Sequence, residues 1–99
     1  MVSISDTPEE YRLRILAEEC AELAQAALKM IRAKEHDTPI SEVDAKVQLV
    51  EESADVMLCI DHVLTERQKQ IVNDFMSIKA ERWEQRLNAN AEILQNGSR

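Results

Sequence analysis

Residues 6–34, "DTPEEYRLRILAEECAELAQAALKMIRAK", decide the fold, because they read as one long helix with an unusual mixture on its surface. Thr7 is placed to act as N-cap, Pro8 suits the first helical position, and Glu10, three residues after Thr7, completes a capping box. At about 100° per residue, Leu13, Leu16, Ala17, Cys20, Leu23, Ala24, Ala27, Leu28, Met30 and Ile31 span half of the circumference. Glu18, Glu19 and Glu22 fall on the other half, with Glu19 at the border of the apolar arc. Ile15 sits in the middle of that acidic half, so the face is not a plain solvated surface. The pattern runs to about Lys34, where "KEHDTPIS" breaks it: Pro39 disfavours helix at Thr38, and Ser41 offers a new cap.

Working outward, a second helical region is expected from about Ser41 to Glu66, with room for a short first segment before Val47. Leu49, Val50, Val56, Met57, Ile60, Val63 and Leu64 form its apolar arc. Glu52 lies at the edge of that arc with Asp55 beside it, and Gln48, Cys59 and His62 continue the stripe. A third helix is expected from about Gln68 to Gln95, ended by Gly97 and Ser98, with Ile71, Val72, Phe75, Met76, Ile78 and Trp83 on its apolar face. One Gly and two Pro in 99 residues leave few turns, and the chain reads as one all-α domain spanning residues 1–99.

The net charge of −7 excludes a general binder of nucleic-acid polymers, which needs a basic face to displace counterions. Cys20 and Cys59 make no disulfide framework and fit a reducing, cytoplasmic setting as small core residues. No apolar run reaches the roughly 20 residues of a membrane span, and the N-terminus lacks a signal-peptide pattern.

Glu19 and Glu22 are one helical turn apart, and Glu52 and Asp55 repeat the spacing on another helix. Two such pairs facing each other gather four carboxylates that repel unless a cation joins them. A hard divalent ion such as Mg²⁺ suits oxygen ligands, whereas His and Cys are not spaced for zinc. From spacing alone, a solvated acidic face and a metal site both remain open. Lys79, Arg82 and Arg86 fall inside the apolar face of the third helix, which calls for acidic partners or an anionic ligand.

"EECAE" (Glu18, Glu19, Glu22) followed by "ESAD" (Glu52, Asp55) resembles the Glu-Glu-x-x-Glu … Glu-x-x-Asp signature of the MazG-like, all-α nucleoside triphosphate pyrophosphohydrolases. The likeness runs from about Tyr11 to Leu87 and includes "KAERWEQRL", similar to the basic helix of small, phage-type members. The 29 residues between Glu22 and Glu52 lie toward the long side of the family's spacing. The resemblance implies hydrolysis of a nucleoside triphosphate to monophosphate and pyrophosphate, a house-cleaning of the nucleotide pool. It implies Mg²⁺, with Mn²⁺ able to substitute, held by Glu19, Glu22, Glu52 and Asp55. Glu18 is then a further ligand or orients the attacking water, and Lys79, Arg82 and Arg86 meet the outer phosphates. It also implies a homodimer or dimer of dimers that completes a four-helix-bundle-like core. Phosphoribosyl-ATP pyrophosphohydrolysis and a non-catalytic acidic module that binds a basic partner are the alternatives. His62 shares the Asp55 stripe as a surface or hydrogen-bonded histidine, His36 is a loop residue, and Trp83 belongs to core or interface.

Overall fold

A computed structural model of the chain describes residues 1–97, and these are all-helical, with no strand among them. A short 3₁₀ turn, η1 (Ile4–Asp6), precedes α1 (Glu9–Lys34), α2 (Glu42–Val63) and α3 (Glu66–Gly97). By its internal contacts the chain divides into two units, Met1–Thr65 and Glu66–Arg99.

The first unit is an antiparallel hairpin in which α1 packs along α2. α1 starts one residue later than expected. Pro8, with φ −62° and ψ 147°, is the N-cap, and Thr7 gives α1 no side-chain cap. The reason is η1: Asp6 Oδ2 accepts from the Ser3 amide at 2.9 Å, and the Thr7 hydroxyl donates to the Ile4 carbonyl at 2.6 Å. Arg12 Nη1 donates to the Thr7 carbonyl at 2.9 Å and the Ser5 carbonyl at 3.3 Å, tying this arm to the first turns of α1. α2 is one unbroken helix, without the separate first segment the sequence left room for. Ser41 caps it as expected, its hydroxyl accepting from the Asp44 amide at 3.1 Å.

The buried and half-buried positions of α1 are Arg12, Ile15, Leu16, Glu19, Leu23, Ala26, Met30 and Ala33. Those of α2 are Ala45, Gln48, Leu49, Glu52, Ser53, Val56, Cys59, Ile60, His62 and Val63. Both series advance by threes and fours, the repeat of helices packed along a shared seam. The most buried members are small: Ala45 is 0% exposed, Ala33 3%, Ala26 5% and Val56 8%. Alanine at these points removes side-chain bulk between the helices, so their backbones approach closely.

The seam is not centred where apolar periodicity alone puts it. Leu13, Ala17, Cys20, Ala24, Ala27, Leu28 and Ile31 form a second apolar stripe on α1 that is exposed in the single chain, and Val43, Val47, Val50, Ala54 and Met57 do the same on α2. α1 is therefore apolar on two adjacent faces and packs with only one of them.

The second unit is α3, which begins two residues before its expected start and includes Gly97; Ser98 lies outside the described residues. From Glu66 to Glu92 every residue is exposed except half-buried Lys69, including Phe75 and Trp83. Lys79, Arg82 and Arg86 are thus exposed, not inside a covered packing face.

α1 ends in a Schellman arrangement: the His36 amide bonds the Ala33 carbonyl at 3.2 Å and the Asp37 amide bonds the Arg32 carbonyl at 2.9 Å. This geometry puts His36 at φ 57°, the left-handed region where a side chain is penalised and glycine is not. His36→Gly is expected to raise unfolding stability by up to about 1 kcal/mol without changing helix content, measured by urea denaturation followed by circular dichroism.

Candidate metal centre

The seam spacing that places Leu16, Leu23 and Met30 against α2 also places Glu19 there, and on α2 it places Glu52 between Leu49 and Val56. Neither glutamate can turn fully outward without leaving the helical register that packs its neighbours. Glu22, one turn after Glu19, stands at the seam's edge and is exposed. The outcome is a cluster in which carboxylate oxygens of Glu19, Glu22 and Glu52 all lie within 4.8 Å of one another. Oε2 of Glu19 and Oε2 of Glu52 are buried and, with all three groups ionised, have no hydrogen-bond partner; only a proton shared with Glu22 gives either carboxyl a hydrogen bond within the cluster.

Both buried carboxyls are held above the ordinary glutamate range. For Glu19, burial is the largest cause, followed by the negative charges of Glu22 and Asp55, a side-chain hydrogen bond with Glu22, and the charge of Glu52. For Glu52, burial again leads, followed by Glu22, Asp55, the hydrogen bond with Glu22, and Glu51. The Cys59 thiol is pushed up as well, first by burial and then by Glu19 and Asp55, so it stays a protonated neighbour of the cluster.

The structure therefore brings Glu19, Glu22 and Glu52 together and sets Asp55, exposed, close enough to raise the first and third. Glu18 is exposed and is not among the charges acting on Glu19 or Glu52. Glu51 is the added carboxylate, and sequence reasoning gave it no role. A polar groove of about 430 Å³ at the cluster is lined by Glu22, Gln25, Ala26, Lys29, Gln48, Glu51 and Glu52. Gln25 and Lys29 continue the Glu22 face at i+3 and i+7, and Gln48 precedes Glu52 by one turn, so face counting from the acidic motifs could have found them. In the second unit, Lys79, Arg82 and Arg86 line a basic groove on α3 with Gln85 and Ala89, of about 470 Å³. None of the three cations makes an ion pair among the described residues.

The donor set is all oxygen. His62 Nδ1 is engaged at 3.0 Å by the Leu58 carbonyl, and the Cys59 thiol is held protonated, so neither offers a ready soft ligand. Three converging carboxylates with two desolvated, unpartnered oxygens suit a hard cation such as Mg²⁺.

Raised carboxyl pKa values fix a sign for metal-free stability. A folded-state pKa above the unfolded one gives stability that is present below the ordinary glutamate pKa and lost as pH rises through the raised value. Without divalent ions, Tm is expected to fall as pH rises through that window. Glu19→Gln and Glu52→Gln should raise the metal-free Tm at neutral pH and flatten this pH dependence. Mg²⁺ is expected to raise the Tm of the unsubstituted protein, and both substitutions should remove that increase, all read by thermal melts with and without chelator.

No family model, no curated protein and no solved structure matches the chain. The functional reading therefore rests on the geometry of the carboxylates and on the ordered acidic motifs themselves.

Proposed function

We propose that the chain is a Mg²⁺-dependent nucleoside triphosphate pyrophosphohydrolase, releasing nucleoside monophosphate and pyrophosphate. The observation that carries this reading is the pair of buried, unpartnered Glu19 and Glu52 oxygens converging with Glu22. Such an arrangement opposes folding through desolvation and repulsion, and a bound cation offsets both. Glu19, Glu22 and Glu52 hold the metal, and Asp55 completes the set from the exposed side. When bound, Mg²⁺ neutralises triphosphate charge and acidifies a coordinated water. The chain's own residues do the rest. Glu51, close enough to act on Glu52, is the carboxylate that orients water or a further ion at the groove, in the role the motif assigns to Glu18. Lys29, on the groove wall, is a cation available to phosphate oxygens; the Lys79–Arg82–Arg86 stripe on α3 takes the outer phosphates on the strength of the motif resemblance.

The exposed stripe Leu13, Ala17, Cys20, Ala24, Ala27, Leu28 and Ile31 supports a second part of the reading. It lies roughly 170° around α1 from Glu22, so a second copy can cover it without closing the acidic groove. Pairing of two hairpins along these stripes gives a four-helix core from two short chains.

Incubation with a broad nucleotide panel, including phosphoribosyl-ATP, tests the activity. Pyrophosphate and monophosphate should appear with Mg²⁺ or Mn²⁺ and vanish in excess chelator. Glu22→Gln and Asp55→Asn should each lower kcat/KM by about 100-fold or more with helix content unchanged. Cleavage of phosphoribosyl-ATP alone selects the histidine-pathway type of reaction. No cleavage of any substrate, with salt-sensitive binding of a cationic partner, selects the non-catalytic acidic module.

The basic stripe gives a separate test. Its cations are exposed and make no ion pair among the described residues, so removing one breaks no visible structural pair. Arg82→Met should keep or raise Tm and lower kcat/KM by about 10- to 100-fold. A large drop in Tm with normal kinetics in the folded fraction assigns the stripe to architecture instead.

A further inference from the structure

Beside the carboxylates, toward the open end of the hairpin, lies a mostly apolar pocket of about 210 Å³ that neither acidic motif includes. η1 contributes Ile4, α1 contributes Tyr11, Arg12 and Ile15, and α2 contributes Leu58, Cys59 and His62. Its place relative to the metal centre follows from helix register. Ile15 is one turn before Glu19, and Cys59 is one turn after Asp55, so the pocket begins about 5 Å along the helices from the cluster. Cys59 is the shared wall, since it lines the pocket while its thiol feels the charges of Glu19 and Asp55.

Two polar groups are left available in this apolar setting. Arg12 spends Nη1 on the Thr7 and Ser5 carbonyls, but its Nε–H is buried and has no partner. His62 Nδ1 lies 3.0 Å from the Leu58 carbonyl, which can only accept, so in the uncharged tautomer that donates there Nε2 is free to act as an acceptor. An unpaired buried donor costs stability, and a ligand oxygen that accepts from it recovers that cost. A donor and an acceptor lining one small pocket are complementary to a ligand edge that offers C=O next to N–H.

Resting on the pyrophosphohydrolase reading, we propose that this pocket seats the nucleobase and selects bases with a lactam edge, C=O beside N–H, over their amino counterparts. Uracil, thymine, guanine and hypoxanthine have that edge; cytosine and adenine present an amino group and a bare ring nitrogen in its place. The flat, apolar walls of Tyr11, Ile15 and Leu58 take the ring faces, Arg12 Nε–H meets the carbonyl, and His62 Nε2 accepts from the ring N–H. The triphosphate then points along the hairpin toward Glu19, Glu22 and Glu52. Cys59 separates the two regions as a neutral thiol, adding no charge to the base pocket.

Two measurements test this on the full-length chain. Deoxyuridine and deoxyinosine, without phosphate or metal, should shift the amide resonances of Tyr11, Ile15, Leu58, Cys59 and His62, whereas deoxycytidine and deoxyadenosine should not. In turnover, kcat/KM should favour deoxyuridine and deoxyinosine triphosphates over the deoxycytidine and deoxyadenosine forms by about 10-fold or more. His62→Phe and Arg12→Met should each bring that ratio close to one. Equal shifts for oxo and amino nucleosides, or shifts elsewhere only, overturn the proposal. So does turnover without base preference, which leaves the pyrophosphohydrolase reading intact. Selective shifts at the pocket with no turnover of any triphosphate uphold the base pocket and overturn the reaction.

Discussion

The structure depends on one constraint: the seam that holds α1 to α2 has carboxylates built into it. Glu19 and Glu52 occupy positions that the three-and-four spacing otherwise gives to Leu16, Leu23, Leu49 and Val56. Packing the hairpin therefore forces two acidic groups into partial burial, next to a third at the seam's edge. The hairpin and the cluster are one object, because the helical register that buries Leu23 and Val56 is the register that brings the carboxylates together. A solvated acidic face has no such coupling, since its side chains are free to diverge.

The rest of the hairpin accommodates this arrangement rather than opposing it strongly. Its most buried side chains are three alanines and a valine, which bring the backbones close but remove little apolar surface from water. The first 65 residues carry 14 acidic and 6 basic groups, so repulsion also works against compaction. Ionised and without a cation, the cluster adds to that repulsion. On the proposed reading, a bound cation would remove the term at its source and so contribute to folding as well as to chemistry.

Much of this was legible in the sequence, and the errors have physical causes. Helix number and the breaks at Lys34 and Ser41 follow from local rules, which act within a few residues. α1 starts one residue past the sequence expectation because Thr7 has the marks of an N-cap, while Ser3 and Asp6 build a turn before it that engages the Thr7 hydroxyl. Glu19, Glu22 and Glu52 were found because i, i+3 spacing survives any rotation of the helix about its axis. The packing face was harder. A helix with two adjacent apolar faces yields a single broad arc when counted, and the arc's centre lies between them. Ile15, stranded among glutamates, was the residue that pointed to the true seam, and it is half-buried there. Glu18 matched the motif letter for letter, yet it stands outside the group of mutually acting carboxylates, because one residue is a 100° step around the helix. Glu51 is hidden from sequence reasoning for the complementary reason. Adjacent to Glu52 in sequence, it reads as solvated, and only the groove it lines shows what it faces.

The two apolar faces of α1 also connect the site to whatever covers the outer stripe. Glu19 stays in the seam only while α1 keeps one rotation about its own axis. In the isolated hairpin, that rotation is set by small side chains on one face, while Leu28 and Ile31 on the other remain half exposed to water. A turn of a few tens of degrees would bury part of the outer stripe and release Glu19 toward solvent, relieving two costs at once. Covering the stripe with a second apolar surface removes the first of those incentives, and a cation between Glu19, Glu22 and Glu52 removes the second. Both acts favour the same rotation of the same helix. Association along the outer stripe and metal binding on the far side are therefore expected to reinforce each other, although they share no side chain.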